Sequence, residues 1–169
     1  MNESKPLVGI LMGSDSDAEI AKKAKKVFNE FEIPFEVEII SAHRDTERCL
    51  KYATSADERG IKIIIAMAGM SAHLAGVVAA NTFLPVIGVP LRNGALEGID
   101  ALLSTVQMPS GIPVATVGVD VPANAAHLAI RILALNDEVI REKLQLSKEK
   151  TKRSLVEKTK KIQEEWYND

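Results

Sequence analysis

Two periods of hydrophobicity alternate along this chain. Residues 7–12 (LVGILM) form a nearly continuous apolar run, the pattern of a strand buried on both faces of a parallel sheet. Ile20, Ala24, Val27, Phe28 and Phe31 then recur at the spacing of one helix face with lysines opposite, which predicts an amphipathic helix. Phe35, Val37 and Ile39 alternate with Glu36 and Glu38, as in a half-exposed edge strand. Cys49, Ala53 and Ala56 mark a second helix that ends near Gly60. Residues 61–67 (IKIIIAM) are the most apolar run and so the expected central strand. Leu74, Val77 and Val78 open a short third helix. Residues 85–89 (PVIGV) predict a fourth strand that stops before Pro90, which has no donor for the ladder. Ile99, Leu102, Leu103 and Val106 supply the expected buried face of the next helix, residues 114–119 a fifth strand, and Ala125, Leu128, Ala129 and Ile132 a fifth helical face. Strand and helix in strict alternation imply an α/β fold, a doubly wound parallel sheet with helices on both faces.

From Asn136 the chain is charged and helix-prone, with Leu144, Leu155, Ile162 and Trp166 near whole numbers of helical turns apart. A helix placed after the last strand has little sheet left to cover. Its stripe is therefore expected to pack on another subunit, a solvated tail being the alternative. The 169 residues suit one domain, with a core over 7–135 and a helical extension over 136–166.

The ends of the first three strands lead into loops rich in Gly, Ser, His and Asp, and in a parallel sheet those ends lie on one side of the molecule. In the first, Gly13-Ser14-Asp15-Ser16-Asp17, Ser16 and Glu19 fit a capping box that starts the helix at Ser16 and points free N–H groups out of the strand end, a setting that suits a phosphate. The second, Ser41-Ala42-His43-Arg44, sets a titratable imidazole beside a guanidinium able to grip a phosphate. The third, residues 68–73, carries Gly69 and His73. Each loop also has a plain structural reading, as capping serines, a surface His-Arg pair and a neutral hydrogen-bonded histidine. His127 and Cys49 are read as packing residues.

A net charge of -2 argues against a general nucleic-acid or membrane-surface role, and no apolar run is long enough for a membrane span. The N-terminus lacks the basic and apolar regions of a signal peptide, and Cys49 alone permits no disulfide framework, so a reducing cytoplasm fits best. Three histidines without ligand spacing give no argument for a metal, and no dinucleotide fingerprint or Walker loop is present.

In order along the chain, VGILMGSDSD, SAHR, AHLAG, PVIGVP and VQMPSGIPVATV resemble the PurE family of purine biosynthesis, over about residues 7–135. The resemblance implies a three-layer flavodoxin-like fold, a homo-octamer with active sites at subunit contacts, and no metal or organic cofactor. It implies an enzyme that moves a carboxyl group from the exocyclic nitrogen of N5-carboxyaminoimidazole ribonucleotide to C4 of its imidazole. Carried over by position, Ser14 and Arg44 would hold the substrate phosphate, Asp17 the ribose hydroxyls, and His43 would move the proton. Ser16, Ser41, Gly69 and His73 would complete the substrate site, with the 68–73 loop lining a pocket for CO2. The sequence departs from the family pattern where Asp45-Thr46 follows SAHR in place of Thr-Pro, and at Met67, Met70, Ser71 and Ala75. The third loop is also where a second class in the family, a carboxylase that uses free CO2, chiefly differs. Retention of Arg44 and His73 favours the mutase. A non-catalytic flavodoxin-like binding module is the remote alternative: Asp15 and Asp17 supply part of a receiver's acidic cluster, but the third strand ends without an aspartate.

Overall fold

In the computed structural model, which describes residues 5–167, five parallel strands run in the order β2-β1-β3-β4-β5. The elements are β1 (Val8–Met12), α1 (Ala18–Phe31), β2 (Phe35–Ile39), α2 (Thr46–Ser55), β3 (Ile63–Gly69), α3 (Leu74–Ala79), β4 (Val86–Leu91), α4 (Ile99–Val106), β5 (Ala115–Thr116), α5 (Pro122–Leu133) and α6 (Glu138–Tyr167). This is the parallel sheet expected of the alternation, in the three-layer, flavodoxin-like form the resemblance implies, and β3 is the central strand. The chain divides into two compact units, one up to Ile130 and one from Arg131.

In the first unit, alternate residues of each strand feed opposite layers. Leu11, Ile64, Ala66 and Val86 face Cys49, Tyr52 and Ala53 of α2 and Leu74, Ala75 and Val78 of α3 in one continuous core. Cys49 is fully buried there, and burial pushes its thiol pKa up, as befits a packing residue. On α1 the inward face is Ala21, Ala24, Val27, Phe28 and Phe31, with Ile20 only half-buried. Phe31 meets the ring of His127 edge-on at 5.9 Å, in keeping with a packing role for that histidine.

The half-exposed edge strand is β2, with Val37 and Ile39 each 46% exposed and Glu36 engaged by Tyr52 and Arg59. Three expectations need correction. β4 runs through Pro90 to Leu91. The ladder toward β5 has ended at the Gly88–Thr116 pair, so the missing donor of Pro90 leaves no partner unpaired, while its carbonyl accepts from Asp120 N–H at 3.0 Å. β5 itself is only two residues long.

The largest difference is α4. Its buried residues are Ala101 and Thr105, whereas Ile99, Leu103 and Val106 are 57, 53 and 48% exposed. The cause is the approach of the helix to the sheet. A Cβ built on Gly88 would lie 2.3 Å from Thr105 Cγ2 and 2.9 Å from Val114 Cγ1, so only small side chains fit under α4 and its large ones turn outward.

The second unit contains α6, a 30-residue helix whose first turn is closed by Asp137 accepting from Ile140 N–H at 3.0 Å. Along the stripe read from the sequence, Leu144 is half-buried, and Leu155, Ile162 and Trp166 are exposed. No helix among the described residues is long and apolar enough to cross a membrane.

Overpacking at the α4 contact is testable. Gly88→Ala should cost about 1–3 kcal/mol in urea denaturation, and adding Thr105→Ser, which removes the clashing Cγ2, should recover part of that loss.

Candidate active site

The first loop folds on its own polar side chains. Ser14, in extended conformation, caps a short 3-10 turn, Asp15–Asp17, that precedes α1. Ser14 N–H donates to Asp17 Oδ2 at 3.1 Å, and Ser16 Oγ donates to Asp17 Oδ1 at 3.2 Å. The capping box is thus Ser14 with Asp17, three residues on, and not Ser16 with Glu19 as the sequence suggested; α1 begins at Ala18. The earlier pair wins because Asp17 is drawn inward to 4% exposure, where its carboxylate can reach the Ser14 N–H. Burial raises the Asp17 pKa above its ordinary 3.8, the hydrogen bonds from Ser16 and Ser14 and the nearby amide of Asn93 pull it back, and the charge of Asp15 adds to the rise.

The second loop is tied to the first. Arg44 Nη2 donates to the carbonyl of Gly13 at 3.2 Å, and Arg44 N–H and Nε reach Ser41 Oγ at 3.3 and 3.4 Å. Asp45 caps α2 by accepting from Arg48 N–H at 3.2 Å, and Thr46 Oγ1 donates to the Ala42 carbonyl at 2.7 Å. Asp45 and Thr46, standing where the family pattern has Thr-Pro, thus start α2 with their own side-chain bonds.

The third loop carries Met70 with φ of 55°, a left-handed conformation costly for a residue with a side chain, and then His73 just before α3. His73 Nδ1 lies 2.8 Å from His43 Nε2, with the rings nearly perpendicular at 88°. One of those nitrogens donates and the other accepts, so the contact fixes complementary tautomers and is lost if both rings are cationic.

Ser14, Ser16, Asp17, Ser41, His43, Arg44, Gly69 and His73 all line one cleft of about 680 Å³. Met70, Leu74 and Asn93 line it too. Asn93 was not among the expected site residues because it belongs to no motif; it follows β4, whose carboxyl end lies on the same edge, and that topology was the available signal. Among the described residues no group of three or more His, Cys, Asp or Glu could hold a metal ion.

Polar loops from successive strands of a flavodoxin-like sheet, converging on one cleft at its carboxyl edge, define the class of α/β protein that binds small molecules there. Residues 7–154 match the AIR carboxylase family model, and the chain belongs to that family. It is 55% identical to the N5-carboxyaminoimidazole ribonucleotide mutase of Pyrococcus horikoshii over 97% of this chain and 93% of that protein. The protein of the same name from Thermotoga maritima is 48% identical over 97% of this chain and 96% of its own length. The phosphoribosylaminoimidazole carboxylase of Saccharomyces cerevisiae is 50% identical over 94% of this chain, which corresponds to 28% of that longer protein. The crystal structure of Treponema denticola PurE superposes with a TM-score of 0.84 at 34% identity, over 92% of this chain and 98% of the other.

The buried carboxylate sets a pH dependence. Because Asp17 has its pKa raised on folding, the folded state holds the proton more tightly, and stability contributed by the neutral acid is lost as the pH rises from 3.8 through the raised value. Asp17→Asn should remove that part of the slope and raise the melting midpoint at neutral pH, measured by thermal denaturation of both proteins across the acid range.

Proposed function

We propose that this protein is an N5-carboxyaminoimidazole ribonucleotide mutase of purine (IMP) biosynthesis, acting on a ribonucleotide without ATP. The observation that carries the reading is the meeting of His43 with Ser14, Asp17, Arg44 and His73 in one cleft, in a chain 55% identical to a protein of that name. Ser14 and Arg44 take the phosphate. The guanidinium already spans the gap between the first two loops, where a planar fork can grip two oxygens. Asp17 accepts from the ribose hydroxyls, a task that needs its charged form. Ser16, Ser41 and Gly69 shape the walls.

The chemistry asks for one proton in and one proton out. The bond from the exocyclic nitrogen to the carboxyl carbon breaks, CO2 departs, and His43 as imidazolium protonates the nitrogen. C4 then attacks the carbon of CO2, and the neutral His43 removes the proton left on C4. The imidazole is restored as it began. His73 sits at hydrogen-bond distance and sets which nitrogen of His43 carries the proton at each stage. The 68–73 loop, with its own Met70 and with Leu74 beside it, supplies an apolar wall that holds CO2 between the two steps and excludes water.

A carboxylase that takes free CO2 is the second reading, favoured by the departures at Met67, Met70, Ser71 and Ala75 and by the name of the yeast relative. The two are separated by running freshly made substrate without ATP in buffer with labelled bicarbonate. Little label should enter the C4 carboxyl group over the first turnovers, whereas rapid labelling to the bulk level with efficient use of aminoimidazole ribonucleotide and CO2 alone would establish the carboxylase. In the same assay His43→Asn should lower turnover at least about a hundredfold.

The active unit is a homo-oligomer, and we favour an octamer in the cytoplasm. Ile99, Leu103 and Val106 of α4 present an apolar face that a lone subunit would leave in water, and the exposed stripe of α6 offers a second such surface. Light scattering should give a mass several times the 18.4 kDa of the chain, and Leu103→Glu should shift it to smaller species.

A further inference from the structure

The loop after β4 passes the mouth of the cleft and holds the one asparagine of the chain that is followed by glycine, Asn93-Gly94. Such a pair sets a nucleophile beside an electrophile, because the main-chain nitrogen of the second residue can close a five-membered ring on the side-chain amide carbon of the first. Glycine brings no Cβ to block that approach and the widest range of backbone angles with which to make it. Residues 92–97 are all exposed, and Gly94 turns the chain with φ of 74°. Around the turn there is open space: a Cβ built on Gly94 would find only Met70 Cγ and Cε, at 3.7 and 4.0 Å. Among the described residues none accepts a hydrogen bond from Gly94 N–H, so no partner must be given up before that nitrogen reacts.

The other described asparagines lack this combination. Asn29 and Asn124 lie within α1 and α5, Asn81 gives its amide to the Val77 carbonyl at 2.8 Å, and Asn136 precedes the bulkier Asp137.

We propose that Asn93-Gly94 is a site of deamidation, and that the reaction weakens substrate binding by putting a carboxylate into the cleft. Gly94 N loses its proton to solvent and attacks Asn93 Cγ. The Cγ–Nδ2 bond breaks, ammonia leaves, and a cyclic imide remains. Water then opens the ring: addition at Cγ gives aspartate, and addition at the main-chain carbonyl of residue 93 gives isoaspartate, in which the chain runs through Cγ. One water is consumed, one ammonia is released, and a neutral amide has become a negative charge.

The place of the residue gives the reaction its effect. Asn93 lines the same cleft as Ser14, Asp17 and Arg44, and its side chain rests on the main chain of β3, since a Cβ on Gly69 would lie 2.4 Å from Asn93 Nδ2 and 2.9 Å from Asn93 Cβ. A carboxylate there joins that of Asp17 and opposes an anionic substrate. Isoaspartate also lengthens the main chain, in a loop held close by at Arg92, whose N–H donates to Asp120 Oδ1 at 2.9 Å and whose guanidinium lies 3.5 Å from the Glu97 carboxylate. The effect on binding rests on the substrate reading given above; the ring closure does not.

The test incubates the folded full-length protein in mildly alkaline buffer and follows two readouts. Peptide mass mapping, with methylation by a protein isoaspartate methyltransferase, should show replacement of NH2 by OH at residue 93 well ahead of residues 29, 81, 124 and 136. The converted protein, separated by anion exchange, should turn over N5-carboxyaminoimidazole ribonucleotide with KM raised at least about fivefold and kcat changed less. Asn93→Gln, whose longer amide would have to close a six-membered ring, should hold its mass and its own starting KM through the same incubation. If glutamine folds poorly against Gly69, Asn93→Ser, which has no amide, carries that comparison. An unconverted residue 93, or one converted no faster than the other asparagines, would overturn the modification. Conversion with KM unchanged would overturn its effect on binding. A fresh protein that never turns over the ribonucleotide, yet converts at residue 93, would sink the substrate reading and leave the modification site standing.

Discussion

The site depends on the hydrogen-bond ladder that β1 shares with both neighbours. Register pairs Met12 with Ile39 on one side and with Met67 on the other, and the ladder continues one step past the strand, with Gly13 N–H donating to the Met67 carbonyl at 3.1 Å and Ile40 N–H to the Met12 carbonyl at 2.8 Å. The first three loops therefore leave the sheet within a residue or two of the same level. A slip of one residue in either pair would turn every side chain to the opposite layer and carry Ser14 or His43 away from the cleft. What aligns the core also aligns the chemistry.

On that platform the polar groups are joined loop to loop. Arg44 binds the main chain of the first loop, and His43 meets His73 of the third. The carboxylate of Asp17 is the expensive member, being nearly buried and opposed by desolvation and by Asp15. A protein selected only for stability would place a neutral group there. The left-handed Met70 is a second local cost at the same edge, and the concentration of such costs around one cleft is what a site held ready for a ligand looks like.

Much of this was legible beforehand. The apolar runs at 7–12 and 61–67 located β1 and the central strand, and each residue given a substrate or proton-transfer role in the first three loops lines the cleft. Periodicity misled at α4, because the pattern Ile99, Leu102, Leu103, Val106 records which face is apolar and not which partner covers it; the small residues Ala101 and Thr105 were the true inward face. At Pro90 the rule about a missing donor failed because the neighbouring strand had already ended, a fact of tertiary order that no local window contains. The Ser14–Asp17 cap was hidden for a similar reason, since Ser16 and Glu19 present an equally good local signal and only the inward turn of Asp17 decides between them. Asn93 lay in a polar stretch without motif, and its place followed only from the direction of β4.

The margins of the sheet carry a further consequence. β5 is two residues long, and β2 at the other edge holds Glu36 and Glu38 in ion pairs with Arg59 and Arg48. Short, charged borders of this kind offer a poor template for another strand, which guards against edge-to-edge aggregation. Copies of the chain associated as proposed above would meet through helix side chains, for which the exposed α4 residues are suited. Separating them would break no main-chain ladder, so each subunit would carry away its sheet, and with it the alignment of its loops, intact.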